Sequence, residues 1–480
     1  MTDRILIQAI RDQFKPMLKD THLVPKVDGI FPLRSHDVVP AHPSLLGSGT
    51  FSRVTRVTLK GSNSANTNWN EKKYACKQLK QELLSHVGDF IKAAAELAYE
   101  AFILSCFDHP NIIKLRGIAE DGIASFGDAS KETQEMHVPP ANSFFLIFDV
   151  LQETLDQRIK RWKTVSRPRS PVDIRQRSLE KISLCQQLAN VLEYIHSKGV
   201  VYRDLKPQNI GFCEQQGGLL KIFDFGLSKE LPLSIADTSS TPRGNGNTQN
   251  PNEHLRFDLS GMVGTIRYMA PEVCLRQPYN RDCDIYSWSI VVWEMWSETK
   301  PFETFTPELY ESLVCKQGYR PTDDTNINSI PIELECLLKE TWNAEPHQRM
   351  RWPGIQSQLN VFQKSEELRL QASIPGVAAA SRTGVTTAMK NPMYHSPVQS
   401  FDFAVHNHNP YMNRNAIDNI ALGEYARKSF GSIQRQNPQM AKRVSLSPGS
   451  RSSTESPSSV SAPIVSIYNM DSRIYLCGDC

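Results

Sequence analysis

The run DIYSWSIVVWEMW, beginning at Asp284, is apolar nearly all the way round a helical wheel. A helix without a polar face must be enclosed on every side, so it calls for other elements packed around it. Further upstream, Leu184, Leu188, Leu192 and Ile195 recur at helical spacing. Strand-like runs come earlier still, at 53–60, 73–79 and 144–150, interrupted by a helical segment at 90–107. Strands first and helices later predict an α+β fold with a small sheet-rich lobe and a larger helical lobe.

The globular part is expected from about 41 to 363, with a small lobe at 41–151 and a large lobe at 152–363. Before it, Leu6, Ile10 and Phe14 stand four apart on a short amphipathic helix that Pro16 limits, followed by a Pro-containing connector. That helix reads either as a regulatory element docking on the main domain or as a simple cover for an apolar patch. From about 364 to 480 the composition shifts, and SPGSRSSTESPSSVSAP from Ser447 buries too little apolar surface to offset chain entropy. A disordered tail is expected there. A second such stretch, DTSSTPRGNGNTQNPNE from Asp237, reads as a mobile insertion spanning about 230–257 inside the globular part.

The 54 Lys and Arg nearly cancel the 51 Asp and Glu, leaving a net charge of +3. That balance offers no electrostatic argument for nucleic acid or a membrane surface. The ten cysteines have no repeated spacing, which favours a reducing compartment. The opening residues lack the apolar core of a secretory signal, and the longest strongly apolar stretch, at 289–296, is too short to span a bilayer. The expectation is a soluble cytoplasmic protein.

The stretch VVYRDLKPQNIGF, from Val200 to Phe212, crowds Arg203, Asp204, Lys206, Gln208 and Asn209 between two apolar ends. A solvated turn carries such charges without anchors on both flanks, whereas a loop that holds polar groups still for chemistry needs them. Four other stretches accompany it in a fixed order. LGSGTFSRV begins at Leu46, YACK ends at Lys77, DFG is Asp224–Gly226, and GTIRYMAPE runs from Gly264 to Glu272. With these five motifs the sequence resembles the eukaryotic protein kinase family over about two-thirds of its length. The resemblance implies a bilobal fold, with one helix beside a small antiparallel sheet and a mainly helical second lobe.

Phosphoryl transfer needs positioning and charge neutralisation more than covalent help. Gly47 and Gly49 lack side chains where backbone N–H groups approach phosphate oxygens. By resemblance Leu46, Gly47, Ser48, Gly49, Thr50 and Phe51 cover the nucleotide, although Ser52 replaces the family's third glycine. The resemblance also places Val54 above the adenine, Ala75 against it, and Lys77 on the α- and β-phosphates. A buried lysine needs an acidic partner. Glu96 and Glu100 share a helix face, so spacing cannot choose between them; alignment to HPNII (residues 109–113) favours Glu100. Phe148 takes the gatekeeper position, with the backbone of Asp149 and Leu151 hydrogen-bonding the adenine.

The same resemblance makes Asp204 the group that accepts or orients the proton of the attacking hydroxyl, and Lys206 the one that steadies the transferring phosphoryl. Asn209 and Asp224 present oxygen ligands to Mg²⁺ beside ATP. Arg203 pairs with a phosphorylated residue in the 224–272 segment, for which Ser260 or residues 238–241 are candidates, modified by an upstream kinase. Lys206 and Thr265 favour serine or threonine acceptors in protein substrates, and YMAPEV with WNAEPHQR resembles the tyrosine-kinase-like branch of serine/threonine kinases. Asp284 is expected to tie down the catalytic loop, and Glu272 to pair with Arg349. Two departures stand out. Tyr202 replaces the commoner histidine, and Gly211 stands where a bulkier residue usually floors the adenine pocket, which Phe212 or a neighbour would have to fill. The alternative function is a pseudokinase scaffold that binds nucleotide or partners without turnover.

Overall fold

A computed structural model describes residues 3–60, 72–127, 143–164, 168, 170–213, 216–232, 256–257, 259–261, 264–321 and 330–374, all within one compact unit. The insertion from Asp237, with the candidate sites at 238–241, and the tail beyond 374 lie outside the described residues.

Helix α1 (Asp3–Phe14) uses its four-residue apolar spacing as expected, burying Ile10 and Phe14. The connector after it contains a strand that the sequence did not signal, β1 (Phe31–Leu33). Then come β2 (Val38–Ser48), β3 (Ser52–Leu59), β4 (Lys73–Leu79), α2 (Val87–Cys106), β5 (Leu115–Ala119) and β6 (Phe145–Asp149). The six strands form one sheet in the order β1-β5-β6-β4-β3-β2. All pairings are antiparallel except β1 with β5, where Pro32 faces Ile118. Gly117 makes that parallel edge fit, since a Cβ there would stand 2.6 Å from Leu33 Cδ1.

The large lobe opens with β7 (Glu153–Thr154), α3 (Leu155–Thr164) and α4 (Pro171–Ser197). Ser170 caps α4 in a reciprocal box with Asp173, and Pro171 occupies the first helical turn, where its missing N–H costs nothing. Strands β8 (Val200–Val201), β9 (Ile210–Cys213), β10 (Leu219–Ile222) and β11 (Lys229–Glu230) form two small sheets, β10-β9-β7 and β11-β8. Helices α5 (Pro271–Cys274), α6 (Asp282–Ser297), α7 (Pro307–Leu309, running into a π-helical turn), α8 (Ile332–Thr341) and α9 (Trp352–Ser373) complete the lobe.

Every residue of α6 is buried, as its sequence demanded. Helices α4 and α8 pack on it, and the indole of Trp288 donates to the Cys185 carbonyl at 3.3 Å. Its serines return their hydroxyls to the backbone, Ser289 to Tyr286 at 2.6 Å and Ser287 to Tyr268 at 2.8 Å. Helix α9 runs on to Ser373, past the edge expected at 363, because Glu366 is buried and takes ion pairs from Arg175 and Arg369.

Candidate active site

Strand β4 carries Ala75 and Lys77 on one face, because alternate residues of a strand point the same way. Val54 lies opposite Lys77 in the sheet, and Phe148 lies opposite Ala75. Lys77 is buried, and its Nζ stands 3.1 Å from Glu100 Oε2 on α2. The ambiguity between the two glutamates is thereby resolved in geometry: Glu100 meets the lysine. The same ammonium lies 3.9 Å from Asp224 Oδ1, so one cation bridges the two lobes.

Leu46, Gly47 and Ser48 end β2, and Gly49, Thr50 and Phe51 form the turn into β3, closed by a hydrogen bond from Gly49 N–H to the Ser52 carbonyl at 2.9 Å. Ser52 is itself the first paired residue of β3, opposite Leu79, with its side chain buried. The expected third glycine is thus replaced at a position of ordinary strand backbone. Asp149 turns its carboxylate away from the cleft to Arg116 (2.7 Å) and Lys72 (3.1 Å). Burial alone would raise its pKa, but those two cations outweigh it and hold the group below the usual range. The Asp149 side chain is thus committed to those two cations.

The loop from β8 to β9 gathers the remaining polar groups. Asp204 is buried, and its two oxygens are both engaged. Lys206 Nζ (2.7 Å) and Asn209 Nδ2 (2.9 Å) reach Oδ2, while the N–H (3.0 Å) and hydroxyl (3.1 Å) of Thr265 donate to Oδ1. Lys206 also reaches the Thr265 hydroxyl at 3.0 Å. Gly264 makes this approach feasible: its φ is +103°, and a Cβ there would stand 2.6 Å from the Arg203 carbonyl. Burial raises the Asp204 pKa, with Lys206 and Thr265 pulling the other way.

Arg203 and Asp224 hold left-handed backbone, with φ of 70° and 68°. Non-glycine residues there cost about 1–3 kcal/mol each and persist only where surroundings fix them. For Arg203 the fixture is Asp284, fully buried, whose carboxylate accepts from the N–H groups of Tyr202 and Arg203, both at 2.8 Å. Trp352 donates to His196 Nδ1 at 2.9 Å, which leaves the ring proton on Nε2 to meet Asp284 at 2.8 Å. His196 and Trp352 are positioning groups that sequence spacing could not reveal, since their partners are distant in the chain. For Asp224 the fixture is Phe225, buried against Phe107 and Tyr202.

Tyr202 has its own logic. Burial, followed by the nearby carboxylates of Asp224, Asp204, Glu100 and Asp284, pushes its pKa well above normal. A neutral phenol fits among four acids, and it donates to the Phe223 carbonyl. Gly211 is closed in by residues distant in the chain: a Cβ would meet Leu151 Cδ1 at 2.6 Å and Phe223 Cε1 at 3.2 Å. Phe212, one residue on, points to the other face of β9, where the Arg158 guanidinium lies 3.3 Å above its ring. Leu151 and Phe223, rather than Phe212, therefore take the space.

A family profile described as "Protein kinase domain" matches residues 42–359. The chain belongs to the protein kinase family. Within that kinase domain the bilobal fold and the ordered motifs coincide. Among curated relatives, Serine/threonine-protein kinase TIO of Arabidopsis thaliana is 24% identical over 68% of this chain and 19% of its own length. Serine/threonine/tyrosine-protein kinase HT1 of Arabidopsis thaliana is 28% identical over 43% of this chain and 45% of its own. Human Receptor-interacting serine/threonine-protein kinase 1 is 30% identical over 36% of this chain and 25% of its own. The kinase thus spans less than half the length of each of these relatives. No helix among its described residues is long and apolar enough to cross a membrane.

Proposed function

We propose that this kinase transfers the γ-phosphoryl group of ATP to serine and threonine hydroxyls of protein substrates. The observation that carries the reading is the convergence of Asp204, Lys206, Asn209 and Asp224 on the cleft that Lys77 and Glu100 reach from the other lobe.

The donor set suits a nucleotide with Mg²⁺. Both amide hydrogens of Asn209 are directed at Asp204, to its carbonyl (2.9 Å) and to Oδ2 (2.9 Å), so its side-chain oxygen is the atom left to coordinate. Together with the Asp224 carboxylate it offers the two hard oxygens that a magnesium ion takes from protein when phosphates and water supply the rest. When bound, that ion supplies charge neutralisation at the phosphates. Lys77, held by Glu100, adds a fixed positive charge beside Asp224. Asp204 accepts the hydroxyl proton, and Lys206 and Thr265 keep its carboxylate aimed. Lys206 and Thr265 together favour alcohol acceptors of serine and threonine, in line with the tyrosine-kinase-like branch. A cytoplasmic setting and regulation by an upstream kinase belong to the same proposal.

The test is incubation of the purified chain with labelled ATP, Mg²⁺ and a generic substrate, then phosphoamino-acid analysis beside Asp224→Asn. Label on serine and threonine that vanishes in the variant supports transfer. Nucleotide binding with no label in the wild type makes the chain a scaffold instead.

Two further expectations belong to this reading. Because burial lifts the Asp204 pKa above its ordinary 3.8, acid protonates this base sooner than it would an exposed aspartate. Turnover is therefore full on the alkaline side of that shifted pKa and falls as pH drops through it. A kcat/KM profile that stays flat down to the ordinary carboxylate range contradicts this. The second concerns Ser260, whose hydroxyl accepts from Arg203 Nη1 at 3.0 Å, while Tyr279 OH receives the same nitrogen at 3.0 Å and donates to the Ser260 carbonyl at 2.9 Å. A phosphate there gains charge-assisted bonds from Arg203. Ser260→Ala is expected to be about tenfold less active than wild type phosphorylated at that residue, in keeping with the loss of one charge-assisted bond. Equal activity and equal phosphate content in wild type and variant would remove Ser260 from the scheme.

A further inference from the structure

Glu230 is where four distant stretches of chain meet. Its strand β11 pairs with β8, Glu230 opposite Val200, and β8 leads directly into Tyr202 and Asp204. Its carboxylate, whose side chain is 10% exposed, takes the Thr21 hydroxyl at 2.6 Å on Oε2 and the His22 N–H at 2.8 Å on Oε1. His22 Nδ1 stands 2.6 Å from Oε1. Thr21 is itself held, because its oxygen accepts from Leu23 N–H at 3.2 Å. Below the ring, Gly199 has φ of +72°, and a Cβ there would meet His22 Nε2 at 3.0 Å. On α2, Tyr99 precedes Glu100, and burial together with the Glu230 charge raises its phenol pKa.

The N-terminal segment that supplies Thr21 and His22 is fastened to α2 at two places. Ile10 and Phe14 bury themselves where α1 packs on α2. Beyond Thr21, Lys26 N–H donates to the Ser105 carbonyl at the far end of α2, at 2.7 Å. Burying two large apolar side chains keeps the segment seated. Through residues 3–26, helix α2 thereby gains a further tie to Glu230, in the segment that begins at Asp224.

We propose that the N-terminal segment is a positioning clasp for the active site, in which Thr21 and His22 close on Glu230 and so hold α2, with Glu100, in register with the 224–272 segment. The proposal rests on the phosphotransfer reading for its effect on turnover, but not for its effect on α2. A carboxylate so little exposed loses much when its donors are removed, and more when a second carboxylate is set against it.

The experiment uses the full-length chain with Thr21→Val, Thr21→Glu and Thr21→Ser. Hydrogen exchange of the α2 amides is read beside kcat, KM for ATP and the melting temperature. Thr21→Val is expected to lower kcat about threefold to tenfold and to speed α2 exchange comparably, the span that one hydrogen bond of ordinary net strength corresponds to. Thr21→Glu is expected to do more, Thr21→Ser to restore both, and KM for ATP to move less than kcat. Unchanged α2 exchange in Thr21→Glu overturns the clasp. So does a lower melting temperature with kcat and α2 exchange intact, since that is a structural role alone. If the wild type transfers no phosphate, the phosphotransfer reading fails while the exchange data still decide the clasp.

Discussion

Asp204→Asn is expected to reduce kcat about 10²- to 10⁴-fold, the range a positioned general base contributes, with KM for ATP changed little. The variant is close to isosteric, and its amide can still accept the Thr265 N–H now bonded to Oδ1 at 3.0 Å. What it loses is the capacity to take a proton and the charge that balances Lys206, 2.7 Å away. Steady-state kinetics with a protein substrate, with nucleotide binding measured separately, distinguishes the outcomes. A loss of nucleotide affinity that accounts for the whole drop contradicts the assignment, because nothing places Asp204 among the groups that hold ATP. Thr265→Val serves as the companion, removing one hydroxyl donor to Asp204 (3.1 Å) without removing the base, and is expected to cost far less.

The largest effect on stability is expected at Arg349. Its side chain is fully enclosed and grips Glu272 with two parallel bonds of 2.7 and 2.8 Å, with further bonds to the carbonyls of Asn343 and Asp282, both at 2.9 Å. Arg349→Ala leaves the Glu272 carboxylate buried without its cation, which costs about 3–5 kcal/mol. Urea unfolding should register that loss in the midpoint rather than the slope. Pairing the change with Glu272→Gln should recover part of it, since the stranded charge is then removed. A loss below about 1 kcal/mol, the size typical of exposed ion pairs, contradicts the account.

The elements with strong local periodicity were readable from sequence: α1 from Leu6, Ile10 and Phe14, β4 at its full extent, and α6 from its lack of a polar face. The motif residues were readable for a related reason, because Tyr202 to Asn209 are consecutive and the chemistry they favour is written in their types. What escaped was set by non-local pairing. Helical spacing left Glu96 and Glu100 equivalent, and only the docking of α2 on the sheet brought Glu100 to Lys77. Strand β1 is three residues with a proline, too short for any pattern, and exists because Gly117 leaves room beside it. The floor under Gly211 comes from Leu151, a residue on another strand's exit, so no window around Gly211 could have named it. Thr21 finds Glu230 across 209 positions of sequence.

The bond from Trp352 to His196 has a consequence for synthesis on the ribosome. The indole that settles the proton on His196, and through it the anchor beneath Arg203, belongs to the last described helix. A nascent chain halted before that tryptophan carries every reactive side chain yet lacks the indole that orients His196 against Asp284, so products of interrupted translation are expected to be less active. Competence arrives late, once α9 has left the exit tunnel.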